Sequence, residues 1–192
     1  MKDVYDFCPK FENQKYELRF VDEKDLDDLH KVYSDKKSVP FFNGDNCHGD
    51  DFNYETIERM KQAIDFWLFS YKNRYFVRWT IFDKSIGKVV GTIELFHRDS
   101  TKDYFNNCAI LRLDLRSDYE KSEEIENILS LIISQTFDLF SCDKIATKCW
   151  STATERKSAL TKLGFSPTKN SLIGEGDVEY NDYWVKNGDK LL

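Results

Sequence analysis

Proline is scarce in this chain. Pro9, Pro40 and Pro167 are the three among 192 residues, and the eight glycines are dispersed. No Pro- or Gly-rich stretch, repeat or low-complexity tract divides the sequence, so a single domain over residues 1–192 is expected. Cysteine is too sparse for a disulfide frame: Cys8, Cys47, Cys108, Cys142 and Cys149 are odd in number and form no C-x-x-C pair. Reduced thiols, with a start (MKDVYDFCPK) too polar for a secretory leader, point to a cytoplasmic protein. Long apolar runs are missing as well. The nearest candidate, Ile125 to Phe140, is broken by Glu126, Asn127, Gln135 and Asp138, well short of the ~18 apolar residues a membrane helix needs. Basic charge is in deficit, with 28 Lys and Arg against 34 Asp and Glu, so nucleic acid is not an expected partner.

Aromatic residues, by contrast, make up 15% of the chain and hydrophobic residues 41%, enough to fill a core without metal or cross-links. Tyr16 to Val21 is β-prone. Asp22 then reads as an N-cap, with Leu26, Leu29, His30 and Tyr33 at helical spacing after it. Residues 38–53 form a loop rich in Asn, Asp and Gly. From Tyr54 to Tyr71 an apolar stripe of Ile57, Met60, Ile64, Trp67, Leu68 and Tyr71 predicts a helix. Three strands follow, over 75–82, 89–96 and 107–115, the first two joined by the hairpin loop Asp83 to Gly87. One long helix is expected over 123–140, burying Ile125, Ile128, Leu129, Ile132, Ile133 and Phe137. A strand over 144–149, a helix over 154–163 closed by Gly164, and a strand pair over 171–173 and 180–185 complete the chain. The order β-α-α-β-β-β-α-β-α-β-β implies an α/β (α+β) fold: a mixed, mostly antiparallel central sheet flanked by about four helices.

This order resembles the GNAT acyltransferases, most closely their ribosomal-protein N-acetyltransferase branch. Leu163-Gly164-Phe165 resembles that family's helix-ending L-G-F element, Val90-Gly91-Thr92-Ile93 its G-x-I strand, and Ser117-Asp118-Tyr119 the P-E-Y leading into its acyl-CoA loop. The family loop reads Q/R-x-x-G-x-G/A, and its glycines let backbone N–H groups close on the CoA pyrophosphate at a helix N-terminus. Here the segment is Tyr119-Glu120-Lys121-Ser122-Glu123-Glu124-Ile125. Glu120 replaces the basic or amide residue, and Lys121 and Glu123 replace the glycines. Ser122 is expected to cap the helix, with Glu123 and Glu124 in its first turn, which suits the helix dipole and repels a phosphate. The resemblance therefore places acetyl-CoA against Leu115, Lys121, Ser122, Glu123 and Glu124, with its binding weakened or lost. On the next helix, the family's pantetheine-holding Asn falls on Ala153, and its Ser or Tyr proton donor on Arg156 or Leu160.

The same resemblance makes the loop after the first helix the acceptor pocket. Phe41, Phe42, Asn46, His48 and Asp51 are its candidates for holding an amine; alternatively the loop is solvated, its Asn, Asp and Gly only making turns and caps. A metal site on Cys47, His48 and Asp50 is not expected, because three ligands so close in sequence rarely share one ion. Glu94 and Asp114, on strands among apolar neighbours, are candidate general bases whose pKa burial would raise; the alternative is an ion pair with Arg98, Arg112 or Arg116. Two functions stay open. One is an acetyl-CoA-dependent N-acetyltransferase acting on a primary amine of a small molecule or protein N-terminus, as a monomer or homodimer. The other is a catalytically inactive module of the same fold that binds a small ligand or a protein partner.

Overall fold

The computed structural model describes residues 3–188. In chain order the elements are β1 (Phe11–Glu12), β2 (Tyr16–Phe20), α1 (Leu26–Tyr33), α2 (Ile57–Lys72), β3 (Val77–Asp83), β4 (Lys88–Arg98), β5 (Cys108–Leu115), α3 (Ser122–Leu129), α4 (Ile133–Phe140), β6 (Lys144–Lys148), α5 (Thr154–Lys162), β7 (Ser166–Pro167), β8 (Leu172–Ile173), β9 (Glu179–Tyr180) and β10 (Tyr183–Asn187). One sheet runs β1-β2-β3-β4-β5-β6-β10-β7, and β8 pairs with β9 apart from it. Every neighbour in the large sheet is antiparallel except β5 and β6.

Alternation along the central strands sorts the two faces. Val77, Trp79 and Ile81 of β3, Ile93 and Leu95 of β4, and Leu111, Leu113 and Leu115 of β5 pack with Ile125, Leu129, Ile133, Ala159 and Leu160 from α3, α4 and α5. The opposite face lies under α1 and α2, where Leu29, Val32, Tyr33, Met60, Ile64 and Trp67 gather. Asp22 sets the entry to α1 with a capping box, and Thr56 caps α2 by accepting from the Arg59 N–H. A third cluster, including Phe105, Ile110, Tyr183 and Val185, sits beneath the β8–β9 hairpin.

The helix expected over 123–140 is two helices. Ser130 Oγ donates to the Asn127 carbonyl, and the N–H groups of Leu131 and Ile132 bond three residues back, which breaks the ladder. The turn rotates α4, so Thr136 is buried and Phe137 only partly covered. The closing strand pair also differs: Leu172–Ile173 does pair with Glu179–Tyr180, but β10 continues the large sheet between β6 and β7. Trp184 and Val185 meet Pro167 and Ser166 there, a strand too short to read from sequence.

Gly91 is demanded by close approach. A Cβ there would stand 2.3 Å from the Asp114 carbonyl oxygen and 3.1 Å from Leu115 Cα. Backbone cannot swing aside as a side chain can. Gly91→Ala must therefore separate β4 from β5, and urea unfolding is expected to show a loss of about 1–3 kcal/mol.

Candidate functional site

Beneath α1 and α2 the sheet carries charge where a core would ordinarily be apolar. Register sets Arg78 opposite Glu94, and Glu94 opposite Arg112. Arg78 donates from Nη2 to Glu94 and, at 3.1 Å, from Nη1 to Asp114; Arg112 Nη1 holds the other Glu94 oxygen at 2.7 Å. Tyr33 of α1 adds its hydroxyl to Asp114 at 2.7 Å. The Arg78 guanidinium lies over the Trp67 ring at 4.2 Å, and that of Arg112 over Phe96 at 5.3 Å. Burial by itself would push the Glu94 carboxyl up. Arg78 and Arg112 outweigh burial and hold it below the ordinary glutamate range. Glu94 and Asp114, the two candidate bases, are thus placed in ion pairs, with Arg78 as a partner that strand periodicity did not single out.

Above this charged floor is a pocket of about 330 Å³. Tyr54, Phe66, Trp67, Tyr75 and Phe76 wall it, Arg78, Glu94 and Arg112 floor it, and Asn46, Cys47, His48, Asp50 and Glu175 edge it. The rim therefore comes from two distant segments, the loop between α1 and α2 and the β8–β9 hairpin. Asn46 joins them by accepting from the Glu175 N–H at 2.9 Å. Burial pushes the Cys47 thiol up to about 11, which makes it a poor nucleophile here.

Of the five loop candidates, Asn46 and His48 reach this pocket. Phe42 is in the core against Tyr33, and Asp51 turns outward to accept from the Asn53 N–H. Phe41 lies apart, beside α5. Sequence reasoning missed what fixes the loop. Asp45 accepts from Lys148 Nζ at 2.7 and 2.8 Å and from the Tyr183 hydroxyl at 3.1 Å, while its carbonyl takes Arg112 Nη2 at 2.8 Å. Lys148 is buried at the end of β6, and nothing in the sequence sets it apart from Lys144 at the start of the same strand.

Beyond Leu111 and Thr147, their last paired residues, β5 and β6 part. Arg116 N–H bonds the Val90 carbonyl, which fixes the alternation along β5. Leu113 and Leu115 therefore turn their backbone groups into the gap. The segments that follow the two parting strands are tied together by Glu120, which departs from the family loop, and Arg156 of α5. Arg156 Nε donates to Glu120 at 2.9 Å, its Nη2 bonds the second carboxylate oxygen, and its Nη1 reaches the Phe41 carbonyl at 3.1 Å. Burial opposes the Arg156 charge, Glu120 outweighs it, and the guanidinium pKa rises, with Asp114 of β5 adding to the rise. Only about 70 Å³ remains between Phe41, Glu120 and Ala153.

At the start of α3 the expected cap is replaced. Lys121 is the N-cap, with no side-chain bond, and Ser122 Oγ meets Ser158 instead. The Ser122 N–H, at the N-terminus of α3, is taken at 2.7 Å by the Glu155 carboxylate. Glu124 is bound by Lys15 and Tyr16, and Glu123 sits in the same open depression as Glu155, opposite Lys121 and Lys162. As these side chains stand, they do not fit a CoA pyrophosphate and pantetheine arm.

The family model for the acetyltransferase (GNAT) domain matches residues 15–166. No curated protein matches the sequence significantly. Among solved structures, the ribosomal-protein-S5-alanine acetyltransferase from Vibrio fischeri is similar at 19% identity and a TM-score of 0.70, over 95% of this chain and 98% of that one. RimL, a ribosomal L7/L12 alpha-N-protein acetyltransferase in complex with coenzyme A, gives 12% and 0.68, over 94% and 99%. RimJ from Mycobacterium smegmatis, in complex with a CoA disulfide, gives 13% and 0.70, over 95% and 88%. At identities this low the likeness is one of fold.

Proposed function

Since the chain belongs to the GNAT acetyltransferase family, we propose that it is an acetyl-CoA-dependent N-acetyltransferase acting on a primary amine of a small molecule or a protein N-terminus. The observation that supports this reading is the aromatic pocket, edged by two loops and floored in part by Arg112, the β5 residue just after the last β5–β6 pair. Its aromatic walls and the exposed Glu175 carboxylate at the edge suit a protonated amine, while Asp50 is committed to Arg59 and Tyr54. Glu94 is the carboxylate on the floor. Held ionised between two arginines, it orients the acceptor and is a weak base; Asp114, buried below Tyr33, supports Arg78.

Turnover is tested by incubating the protein with acetyl-CoA and a panel of primary amines and N-terminal peptides, reading free thiol release. Tyr75 and Phe66 are exposed walls, so their loss should spare the fold. Tyr75→Ala and Phe66→Ala are expected to raise acceptor KM about tenfold, the equivalent of ~1.4 kcal/mol, with Tm unchanged. No thiol release with any acceptor would sink the transferase assignment. A second reading, a ligand-binding module without catalysis, is favoured by the Glu120–Arg156 pair and by Glu155 on the Ser122 N–H. It expects acceptor-type amines to bind calorimetrically while neither acetyl-CoA nor free CoA does.

A further inference from the structure

We infer that Glu120 and Arg156 form a gate across the donor groove, whose parting decides whether a CoA thioester can enter. The inference rests on reading the gap between β5 and β6 as that groove, and it concerns binding alone. Four observations carry it. The pair joins the segments that follow the two parting strands, Glu120 between β5 and α3 and Arg156 on α5 after β6. Both side chains are nine-tenths buried or more, so they fill space that solvent does not share. Arg156 also holds the Phe41 carbonyl, which draws the loop between α1 and α2 over the same opening. Glu155, the residue beside Arg156, closes the Ser122 N–H from the same helix. One rotation of α5 away from α3 would release all three contacts together.

The chemistry of opening follows from charge. A diphosphate competes with two carboxylates at once, with Glu120 for the Arg156 guanidinium and with Glu155 for the Ser122 N–H. A bidentate Arg–carboxylate pair in a buried setting is a strong competitor, and the ligand must displace it before its own contacts form. Freed of Glu120, Arg156 is the cation the groove otherwise lacks, since Lys121 and Lys162 face three carboxylates in the depression outside. The gate thus holds its own anion receptor.

Free CoA is the probe, titrated calorimetrically into the intact chain. Glu120→Gln leaves Arg156 uncommitted and is expected to tighten CoA at least fivefold over wild type. Because that variant strands a buried cation and could unfold, the paired change Glu120→Ala with Arg156→Ala opens the groove with no charge left over; it loses the receptor as well, so a gain of about twofold over wild type, smaller than that of Glu120→Gln, is expected. The exchange Glu120→Arg with Arg156→Glu rebuilds the pair and should return affinity to the wild-type level, with Tm followed throughout. A gain below fivefold in the folded Glu120→Gln variant, or no gain at all in the folded paired-alanine variant, overturns the gate, as does a folded exchange variant that binds as tightly as Glu120→Gln. If the opened variants bind CoA and still transfer nothing, the transferase assignment fails and the gate stands.

Discussion

Arg78→Met is expected to destabilise the protein by about 3–5 kcal/mol, the usual result of removing one partner from a buried ionic group. Arg78 has 1% of its side chain exposed, and among the described residues it is the one cation touching both Glu94 and Asp114. Methionine keeps much of the volume above Trp67 and removes the charge, leaving Asp114 with only the Tyr33 and Thr92 region around it. The pH dependence has a definite sign. Glu94 is held below its ordinary value of 4.5, so its contribution is fully present above that value and fades as pH falls through the folded one. The variant has already lost the Arg78 share of that contribution, so it has less to lose in acid. The gap between wild type and variant, measured by urea unfolding, should therefore be widest near neutrality and narrow in acid below about pH 4.5. A gap under about 1 kcal/mol at neutral pH would show that the floor is not the continuous ionic network described.

Trp79→Ala, one residue along the same strand, should cost a similar ~3–5 kcal/mol for an unrelated reason. Trp79 is fully buried on the other face, packed beside Phe11, and its Nε1 donates to the Pro9 carbonyl at 2.8 Å. The loss is a cavity plus an abandoned carbonyl, with no ionisable group involved. Its deficit should be flat across the same pH range, which separates the two variants even if their neutral values coincide. A flat profile for Arg78→Met, or a sloping one for Trp79→Ala, would reverse the assignment of the two layers.

The layers themselves were legible because β3, β4 and β5 alternate and α1 and α2 carry apolar stripes; those periodicities depend only on local geometry. The break at Ser130 was not, since the apolar spacing of Ile128, Leu129, Ile132 and Ile133 suits a straight helix equally well. Asn46 and His48 drew notice because the loop is unusual in composition, and they lie at the edge of the pocket. Arg78 was passed over because an arginine inside a hydrophobic strand looks like one more outward residue until register sets Glu94 against it. The contact between Glu120 and Arg156 crosses 36 positions, and no single-sequence rule brings them together. Each was visible as an oddity on its own; their adjacency was a fact of the fold.

The parallel ladder between β5 and β6 is short: Cys108, Ala109, Ile110 and Leu111 against Lys144, Ile145, Ala146 and Thr147. On one side of it stands a meander, β1 to β5, in which every strand pairs with the one before it in the chain. On the other side β6, β10 and β7 assemble out of chain order. Within the meander β1–β2, β3–β4 and β4–β5 close through short loops, while residues 21–76, with α1 and α2, join β2 to β3; the second half must wait for the chain to return from α5 and the hairpin. Assembly then has a natural sequence, with the first half folding as a template and the second docking along four residue pairs. That seam is also where β5 and β6 part, so the boundary between the two folding halves and the proposed donor groove are the same line through the molecule.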